Sequence, residues 1–212
     1  MPLEVVNDGE VTALAGAMTL EDKPVLGIAM GSSEAGGYVD GDGNITGWLN
    51  ELAFVPVDFS PTAPVDEWSG DRGCGSAYFS QVAVIRLAAA AGIELDADAT
   101  PAERLKRVQD LLASGDGRAR KILETIGCYL GYAVAHYADF YDLRHVLVLG
   151  RVTSGEGGHI IVERASTVLR SEFPDLTDRV LLHLPDESSR RVGQAVAAAS
   201  LPEARRDRDR GQ

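Results

Sequence analysis

Short apolar runs separated by polar turns dominate the pattern of this chain, and they predict its β-strands. Residues 24–31 (PVLGIAMG) and 145–150 (HVLVLG) are apolar with little alternation, which is typical of strands buried on both faces. A run at Leu3–Val6 and the segment 179–184 (RVLLHL) also predict strands. Residues 36–48 (GGYVDGDGNITGW) predict a hairpin with its turn around Asp42-Gly43.

Stretches with apolar residues at helical spacing alternate with these runs. The clearest helix start is Thr100-Pro101, because threonine is a preferred N-cap, proline suits the first turn and Glu103 completes a capping box. Residues 117–142 are apolar over much of a helical surface, which predicts a long and well-covered helix. Further helices are predicted after Asp8, at 77–92, from the end of the loop 151–158 to about Phe173, and at 188–200.

The order of the elements predicts the fold class. After residue 145 the chain reads β-α-β-α, which favours a parallel strand pair with a crossover helix, whereas the hairpin near residue 40 is antiparallel. We therefore predict an α/β fold with a mixed sheet and flanking helices. Residues 50–76 are irregular, and so long a loop is uncommon unless it is functional.

Composition narrows the classes of function. The chain has 212 residues, of which 45% are hydrophobic, enough for one domain with a core. No apolar run approaches the ~20 residues that span a bilayer, and no secretion signal opens the chain, so we expect a cytoplasmic protein without membrane contact. The net charge of −12 argues against nucleic acid as a partner, and the basic cluster 205–210 is diluted by aspartates.

Cysteine and histidine do not suggest a metal site. Cys74 and Cys128 are too few for a disulfide framework, and Cys128, within a helical apolar pattern, is expected to be a buried thiol. The histidines show no metal-ligand spacing to one another or to Cys74, and we expect most of them to be surface or hydrogen-bonded polar residues: His136, His145, His159 and His183.

Asp8 has two interpretations. It can simply cap the helix that follows it, since aspartate is a preferred N-cap. Alternatively, it is a carboxylate at the end of a buried strand, where α/β sheets usually bind ligands, and it could take a proton from a substrate hydroxyl there. The local sequence leaves both possibilities open.

Two glycine-rich segments could bind phosphate, and each could equally be a plain connection. In 31–39 (GSSEAGGYV) glycines and small hydroxyl residues let backbone N–H groups approach a phosphate, although Glu34 places a negative charge there. In 149–158 (LGRVTSGEGG) the loop follows a buried strand and precedes a helix. Glu51, in the irregular segment, is either an exposed loop residue or an acceptor for sugar hydroxyls.

Taken in order, several segments resemble the ROK family of sugar kinases and sugar-responsive repressors. They are VVNDGEVTALAGA, GIAMGSSEAGGYVDGDGNI, NELAF, SGDRGCGSAYFS, YLGYAVAHYADFYDLRHVLVLG and VGQAVAAAS. The resemblance runs from about Pro2 to Pro202. It implies a ribonuclease H-like large lobe of the actin/hexokinase type.

The resemblance also implies roles for particular residues. Asp8 falls on the general base, and Asn7 and Glu51 fall on residues that hold the sugar. Gly31, Ser32 and Ser33 fall on a phosphate loop, and the nucleotide-side glycines fall around Gly150. ATP and Mg²⁺ are the implied cosubstrate and metal.

Several positions depart from the family pattern. Phe54 stands where the family has a histidine that contacts sugar and zinc, and the zinc cysteines fall on Glu67, Ser69 and Cys74. One thiolate cannot build a structural zinc site, so we predict no zinc. Ser76 replaces a second sugar-binding glutamate, which weakens an assignment to glucose.

The resemblance implies a division of the chain. Residues 1–18 correspond to a remnant of the small lobe and the hinge, 19–187 to the large lobe, 188–202 to a C-terminal helix, and 203–212 to a disordered tail. Nothing before Asn7 supplies the Asp-x-Gly-Gly turn with which the family opens, so we expect about the first third of a family kinase to be missing.

Two functions follow as hypotheses. The chain is a carbohydrate kinase, incomplete or impaired as a single chain, with sugar and ATP as partners. Alternatively, it is a non-catalytic sugar-binding or dimerisation module from the same family, which the altered zinc and sugar residues favour. A homodimer or a complementing N-terminal lobe is expected in either case. A repressor is a weaker third hypothesis, since the sequence shows no helix-turn-helix segment.

Overall fold

The computed structural model of the chain describes residues 20, 24–45 and 50–185. Strands and helices alternate along them much as the apolar pattern predicts. The strands are β1 (Val25–Met30), β2 (Glu34–Val39), β3 (His145–Leu149) and β4 (Leu181–His183). The α-helices are α1 (Gln81–Ala90), α2 (Pro101–Ala113), α3 (Gly117–Tyr137), α4 (Glu156–Glu172) and α5 (Pro174–Thr177), and two 3₁₀ helices cover Leu52–Phe54 and Gly75–Ala77.

The strands form one mixed sheet with the order β2-β1-β3-β4. The β1–β2 pair is antiparallel, whereas β1–β3 and β3–β4 are parallel. Helix α4 connects β3 to β4, which is the predicted crossover. The prediction of an α/β fold with a mixed sheet and flanking helices is therefore confirmed.

Helix α3 is the central helix of the core, and two glycines allow α4 to lie close against it. A Cβ atom at Gly127 would lie 2.5 Å from the carbonyl oxygen of Ile161, and one at Gly131 would lie 2.6 Å from Cβ of Val168. Because protein interiors are close-packed, a side chain at either position would push the helices apart. The predicted long, well-covered helix is confirmed, with its end at Tyr137.

Local sequence signals predict the start of one helix correctly and the start of another incorrectly. The capping box at Thr100 is present: its hydroxyl accepts from the Glu103 N–H, and Glu103 accepts from the Thr100 N–H. The helix predicted at 77–92 begins instead at Gln81, because the side chain of Ser80 caps it by accepting from the Val82 N–H. The residues before Ser80 belong to the end of the irregular segment.

The turn of the predicted hairpin at 36–48 is described, whereas residues 46–48 of its second strand lie outside the described residues. The turn is confirmed, since Oδ1 of Asp40 accepts from the backbone N–H groups of Asp42 and Asn44. Strand β2 pairs with β1, which precedes it. After the turn, Ile45 forms an antiparallel bridge to Val39, as the predicted hairpin requires.

The face of the sheet opposite α3 carries a smaller apolar cluster of Val25, Val39 and Leu147. Parallel pairing also brings two histidines together, because His183 lies opposite Leu147, two residues from His145 and on the same face of the sheet. Their ring atoms Nδ1 and Nε2 lie 2.9 Å apart. Burial, and then the nearby His145, lower the pKa of His183. No helix in 24–45 or 50–185 is long and apolar enough to cross a membrane.

Candidate functional site

The turn Gly31–Ser33 joins β1 to β2 at the carboxyl end of β1. The Gly31 N–H donates to the carbonyl of Ser33 over 2.9 Å, and the Gly31 carbonyl accepts from the Gln81 N–H over 2.9 Å. The second contact fixes the turn to the first residue of α1. Ser32 and Ser33 are exposed, so their hydroxyl groups are accessible.

The loop that contains Gly150 crosses the same end of β1. Gly150 has a φ of +107°, and a Cβ atom there would lie 2.3 Å from the carbonyl oxygen of Met30. The Val152 N–H donates to that oxygen over 3.2 Å. Because Met30 directly precedes Gly31, the tertiary structure brings the two segments that could bind phosphate side by side. The carboxyl ends of strands in α/β sheets are where ligands usually bind.

Glu51 lies at the start of the 3₁₀ helix Leu52–Phe54 and is half-buried. Its carboxylate makes no hydrogen bond within the described part of the chain. The backbone beside it packs on β2, where a Cβ atom at Gly36 would lie 2.6 Å from Cγ of Leu52 and 2.9 Å from the carbonyl of Asn50. Gly36 follows Ser33 by three residues, about 10 Å along a strand. The backbone on either side of Glu51 therefore packs against the same β1–β2 hairpin that carries the Gly31–Ser33 turn.

Glu34, the first residue of β2, is buried and has no hydrogen-bond partner among the described residues. It is 5% exposed, and neither carboxyl oxygen has a hydrogen bond within the described residues. Burial raises its pKa from 4.5 to about 8. The expectation that Glu34 adds a negative charge beside the turn is therefore wrong at neutral pH, because desolvation favours the protonated form. A Cβ atom at Gly75 would lie 2.0 Å from its Oε2 atom, so only glycine fits there.

The irregular segment is a narrow hairpin held by carboxylates. Isolated bridges join Pro56 to Cys74 and Val65 to Arg72. Asp58, near its base, accepts hydrogen bonds from the hydroxyl of Tyr78 over 2.7 Å and from the Ser60 N–H over 2.8 Å. These bonds, that of Tyr78 first, lower the pKa of Asp58. A buried tyrosine thus ties the loop to the core.

Asp66 organises the far end of this hairpin. Its Oδ2 accepts from the Ser76 hydroxyl over 2.6 Å, and its Oδ1 accepts from the N–H groups of Trp68 and Ser69 over 3.0 and 2.9 Å. The Ser76 hydrogen bond, as the largest cause, lowers the pKa of Asp66. Ser76 is only 6% exposed, so this carboxylate links the loop tip to the protein interior.

The residues at the implied zinc positions have other contacts. The Phe54 ring stacks on Trp68, and Sγ of Cys74 lies 3.3 Å from the Ser76 hydroxyl. Among the described residues no group of three or more His, Cys, Asp or Glu is placed to hold a metal ion. A phenyl ring and a single thiol do not fit a tetrahedral zinc site. The absence of zinc stays a prediction for metal analysis of the purified protein.

Asp66→Ala is expected to lower the free energy of unfolding by about 2 kcal/mol, because hydrogen bonds to a charged acceptor are lost and the buried Ser76 hydroxyl loses its acceptor. Urea unfolding at pH 7 measures this change. Asp71→Ala, an exposed carboxylate on the same loop, is the matched control and is expected to change stability by no more than about 0.5 kcal/mol.

The pH gives a second check on Asp66. Its pKa is lowered in the folded protein, so its contribution is present above the ordinary value of 3.8 and is lost as the pH falls through the folded pKa. The free energies of unfolding of the parent protein and of Asp66→Ala should therefore converge in strong acid. Equal losses in Asp66→Ala and Asp71→Ala would contradict a specific role for Asp66.

Cys128 is not the buried thiol that the sequence predicts. It is partly exposed rather than buried, because its position on α3 faces a groove between α3 and α4. The groove has a volume of about 520 Å³ and is lined by Lys121, Glu124, Thr125, Cys128, Tyr129, Tyr132 and Arg164. None of the candidate site residues lines it.

The described structure therefore brings together Gly31, Ser32, Ser33, Gly150 and Glu51 on and around one β-hairpin. Asn7 and Asp8 lie outside the described residues. Sequence reasoning missed three contributors to this region. Glu34 was expected to be a charged residue, and neither Asp66 nor Trp68 was selected as a candidate. Trp68 is 84% exposed.

Comparisons with solved structures identify proteins of the same fold. A ROK hexokinase from Thermus thermophilus matches with a TM-score of 0.67 and 20% identity, over 92% of this chain and 64% of that one. A ROK family glucokinase from Streptomyces griseus, in complex with glucose and AMPPNP, matches with a TM-score of 0.69 and 21% identity, over 92% and 67%. A ROK family transcriptional regulator, a homolog of the E. coli MLC protein, has a TM-score of 0.69 and 17% identity, over 94% and 52%.

The predicted resemblance to the ROK family is thus confirmed at the level of the fold, including its actin/hexokinase type. This chain spans between 52% and 67% of the length of these three proteins. No protein-family model matches the sequence, and no curated protein matches it.

Proposed function

We propose, with the ROK fold as the premise, that this chain carries the large-lobe part of a cytoplasmic carbohydrate kinase that transfers the γ-phosphoryl group of ATP to a sugar hydroxyl. The observation that supports the proposal is that the Gly150 loop packs against the Met30 carbonyl, directly beside the Gly31–Ser33 turn. Glu51 is next to backbone that packs on the same hairpin, and its carboxylate makes no hydrogen bond to another described residue. Phosphate sites next to a sugar acceptor are what a carbohydrate kinase requires.

The nucleotide would bind at the carboxyl ends of β1 and β3. The backbone N–H groups and the exposed hydroxyls of Ser32 and Ser33 are suited to phosphate oxygens. The protonated state of Glu34 at neutral pH leaves the turn without the repulsion that a carboxylate would cause. Gly150, which approaches the Met30 backbone, keeps the second loop against the first. Mg²⁺ in such sites is held largely by the nucleotide phosphates, with few protein carboxylates.

The sugar would bind between Asn7, Glu51 and Asp8. Asp8 would accept the proton of the sugar hydroxyl as its oxygen forms a bond to the γ-phosphorus, while the bond to the β-γ bridging oxygen breaks and ADP leaves. Glu51 would accept hydrogen bonds from other hydroxyl groups of the ring. In phosphoryl transfer the protein acts mainly by positioning and by charge stabilisation.

The experiment is ADP release by the purified chain with D-glucose, N-acetyl-D-mannosamine and sucrose as acceptors. Asp8→Asn is expected to lower kcat by about 10²- to 10⁴-fold, the usual contribution of a general base, with little change in sugar KM. Glu51→Gln is expected to raise the sugar KM instead. Turnover that ignores Asp8→Asn would remove Asp8 from the mechanism.

A non-catalytic sugar-binding or dimerisation module is the second candidate. The environment of Ser76 favours it, because the hydroxyl that replaces a sugar-binding glutamate is buried and donates to Asp66. Sugar binding by calorimetry without ADP release would support this candidate. Sedimentation would test the proposed homodimer, and turnover restored by an added N-terminal lobe would indicate complementation.

A further inference from the structure

We infer that Phe54 and Trp68 form an aromatic platform beside Glu51 that binds the apolar face of a carbohydrate ring. The inference rests on the proposed function, because it takes Glu51 as the sugar-binding carboxylate, and it adds specificity-determining residues to that site. The Phe54 and Trp68 ring centroids lie 5.5 Å apart, and the planes are inclined by 25°. This is a stacked pair with one face of the indole facing outward.

Glu51 and Phe54 belong to one backbone turn. The Phe54 N–H donates to the carbonyl of Glu51 over 3.1 Å. Glu51 and Phe54 therefore lie at the two ends of one backbone turn. Trp68 adds a second ring to the apolar surface at Phe54.

The exposure of Trp68 is unusual for a residue held so firmly. The side chain is 84% exposed, although a free tryptophan surface of this size normally becomes buried. Its backbone is nonetheless fixed, since the N–H groups of Trp68 and Ser69 both donate to Asp66 and the Gly70 N–H donates to the Asp66 carbonyl over 2.9 Å. A flat ring on a rigid loop loses little conformational entropy when a ligand stacks on it.

A carbohydrate matches this combination of groups. A pyranose ring has hydroxyl groups at its edge and C–H groups on its faces, so its edge can bind Glu51 while a face stacks on an aromatic ring. Ligand sites typically combine aromatic surfaces with a few convergent polar groups. Because Trp68 adds a second ring to the surface at Phe54, the platform favours an acceptor with a second ring or an apolar substituent over a free monosaccharide.

The test is calorimetric titration of the full chain with D-glucose, sucrose and maltose. Trp68→Ala is expected to weaken disaccharide binding by about tenfold and monosaccharide binding by less. Trp68→Phe, which keeps a flat ring, should stay within about threefold of the parent protein. The matched control is Phe59→Ala, since Phe59 is 81% exposed on the same loop and has no ring partner among the described residues; it should leave the affinity unchanged.

The outcomes separate this inference from the proposed function. Sugar binding that Trp68→Ala does not weaken overturns the platform and leaves the kinase proposal standing. Weakened binding in a chain that releases no ADP supports the platform and counts against phosphoryl transfer. A parent protein that binds none of the sugars refutes both. A change of oligomeric state in Trp68→Ala, with unchanged sugar affinity, would show that the rings contact a second copy and overturn the inference.

Discussion

Replacing Glu34 with glutamine is expected to abolish a pH dependence of stability that extends from about pH 4.5 to about pH 8. In the folded protein burial keeps this carboxyl group protonated, whereas in the unfolded chain it ionises near its ordinary pKa. Between those values the folded state holds a proton that the unfolded state has released. Stability therefore falls by about 1.4 kcal/mol for each pH unit, roughly 5 kcal/mol in total.

The measurement is urea unfolding of both proteins at intervals from pH 5 to pH 9. The parent protein should lose stability as the pH rises through this range, and the loss should level off above the folded pKa. Glu34→Gln cannot ionise, so the difference between the two proteins should grow with pH. Glu34→Leu provides a second neutral variant with the same expectation, in case the amide is itself poorly accommodated. Parallel pH profiles for all three proteins would show that Glu34 is ionised in the native state.

Replacing Gly150 with alanine is expected to destabilise the protein by roughly 3–5 kcal/mol and to abolish nucleotide binding. Two effects add: a φ of +107° is strained for an L-residue, and the new Cβ atom would lie 2.3 Å from the Met30 carbonyl oxygen. The backbone on both sides of this contact is fixed, so the loop must move away from β1. The two predicted phosphate-binding segments would then separate.

Gly155 is the matched control for this change. It also has a positive φ, +65°, but a Cβ atom there has no neighbour within 4 Å. Its ψ of −147° places it close to a region that essentially only glycine adopts, so Gly155→Ala should cost the conformational strain alone, about 1–3 kcal/mol. Urea unfolding gives the stabilities, and calorimetry with AMPPNP gives the nucleotide affinities. Equal effects of the two substitutions would mean that the approach of Gly150 to Met30 has no importance.

The elements that could be predicted are those whose signals are local. The capping box at Thr100 and the apolar run of β1 depend on residues close together in the chain, and both are present in the structure. The start of α1 was misplaced because the apolar residues before Ser80 resemble a continued helix, while the hydroxyl cap at Ser80 ends that possibility.

The candidate site also has features that local sequence predicts and features that depend on long-range packing. Gly31–Ser33, Gly150 and Glu51 could be chosen from their residue types and from the family resemblance. Their proximity could not, because it depends on the parallel pairing of β1 with β3 and on the packing of residue 50–52 backbone over Gly36. The proximity of His145 to His183 depends in the same way on the β3–β4 register.

The sequence alone determined the alternation of strands and helices, the ROK resemblance and the identity of the candidate phosphate- and sugar-binding residues, since these follow from residue type and spacing. Only the tertiary structure decided that Glu34 is buried, which raises its pKa, that Asp66 holds the loop, and that Phe54 stacks on Trp68. The reason is physical: ionisation depends on desolvation, and stacking depends on which distant segments are packed together. Neither quantity is a property of a residue and its neighbours in the chain.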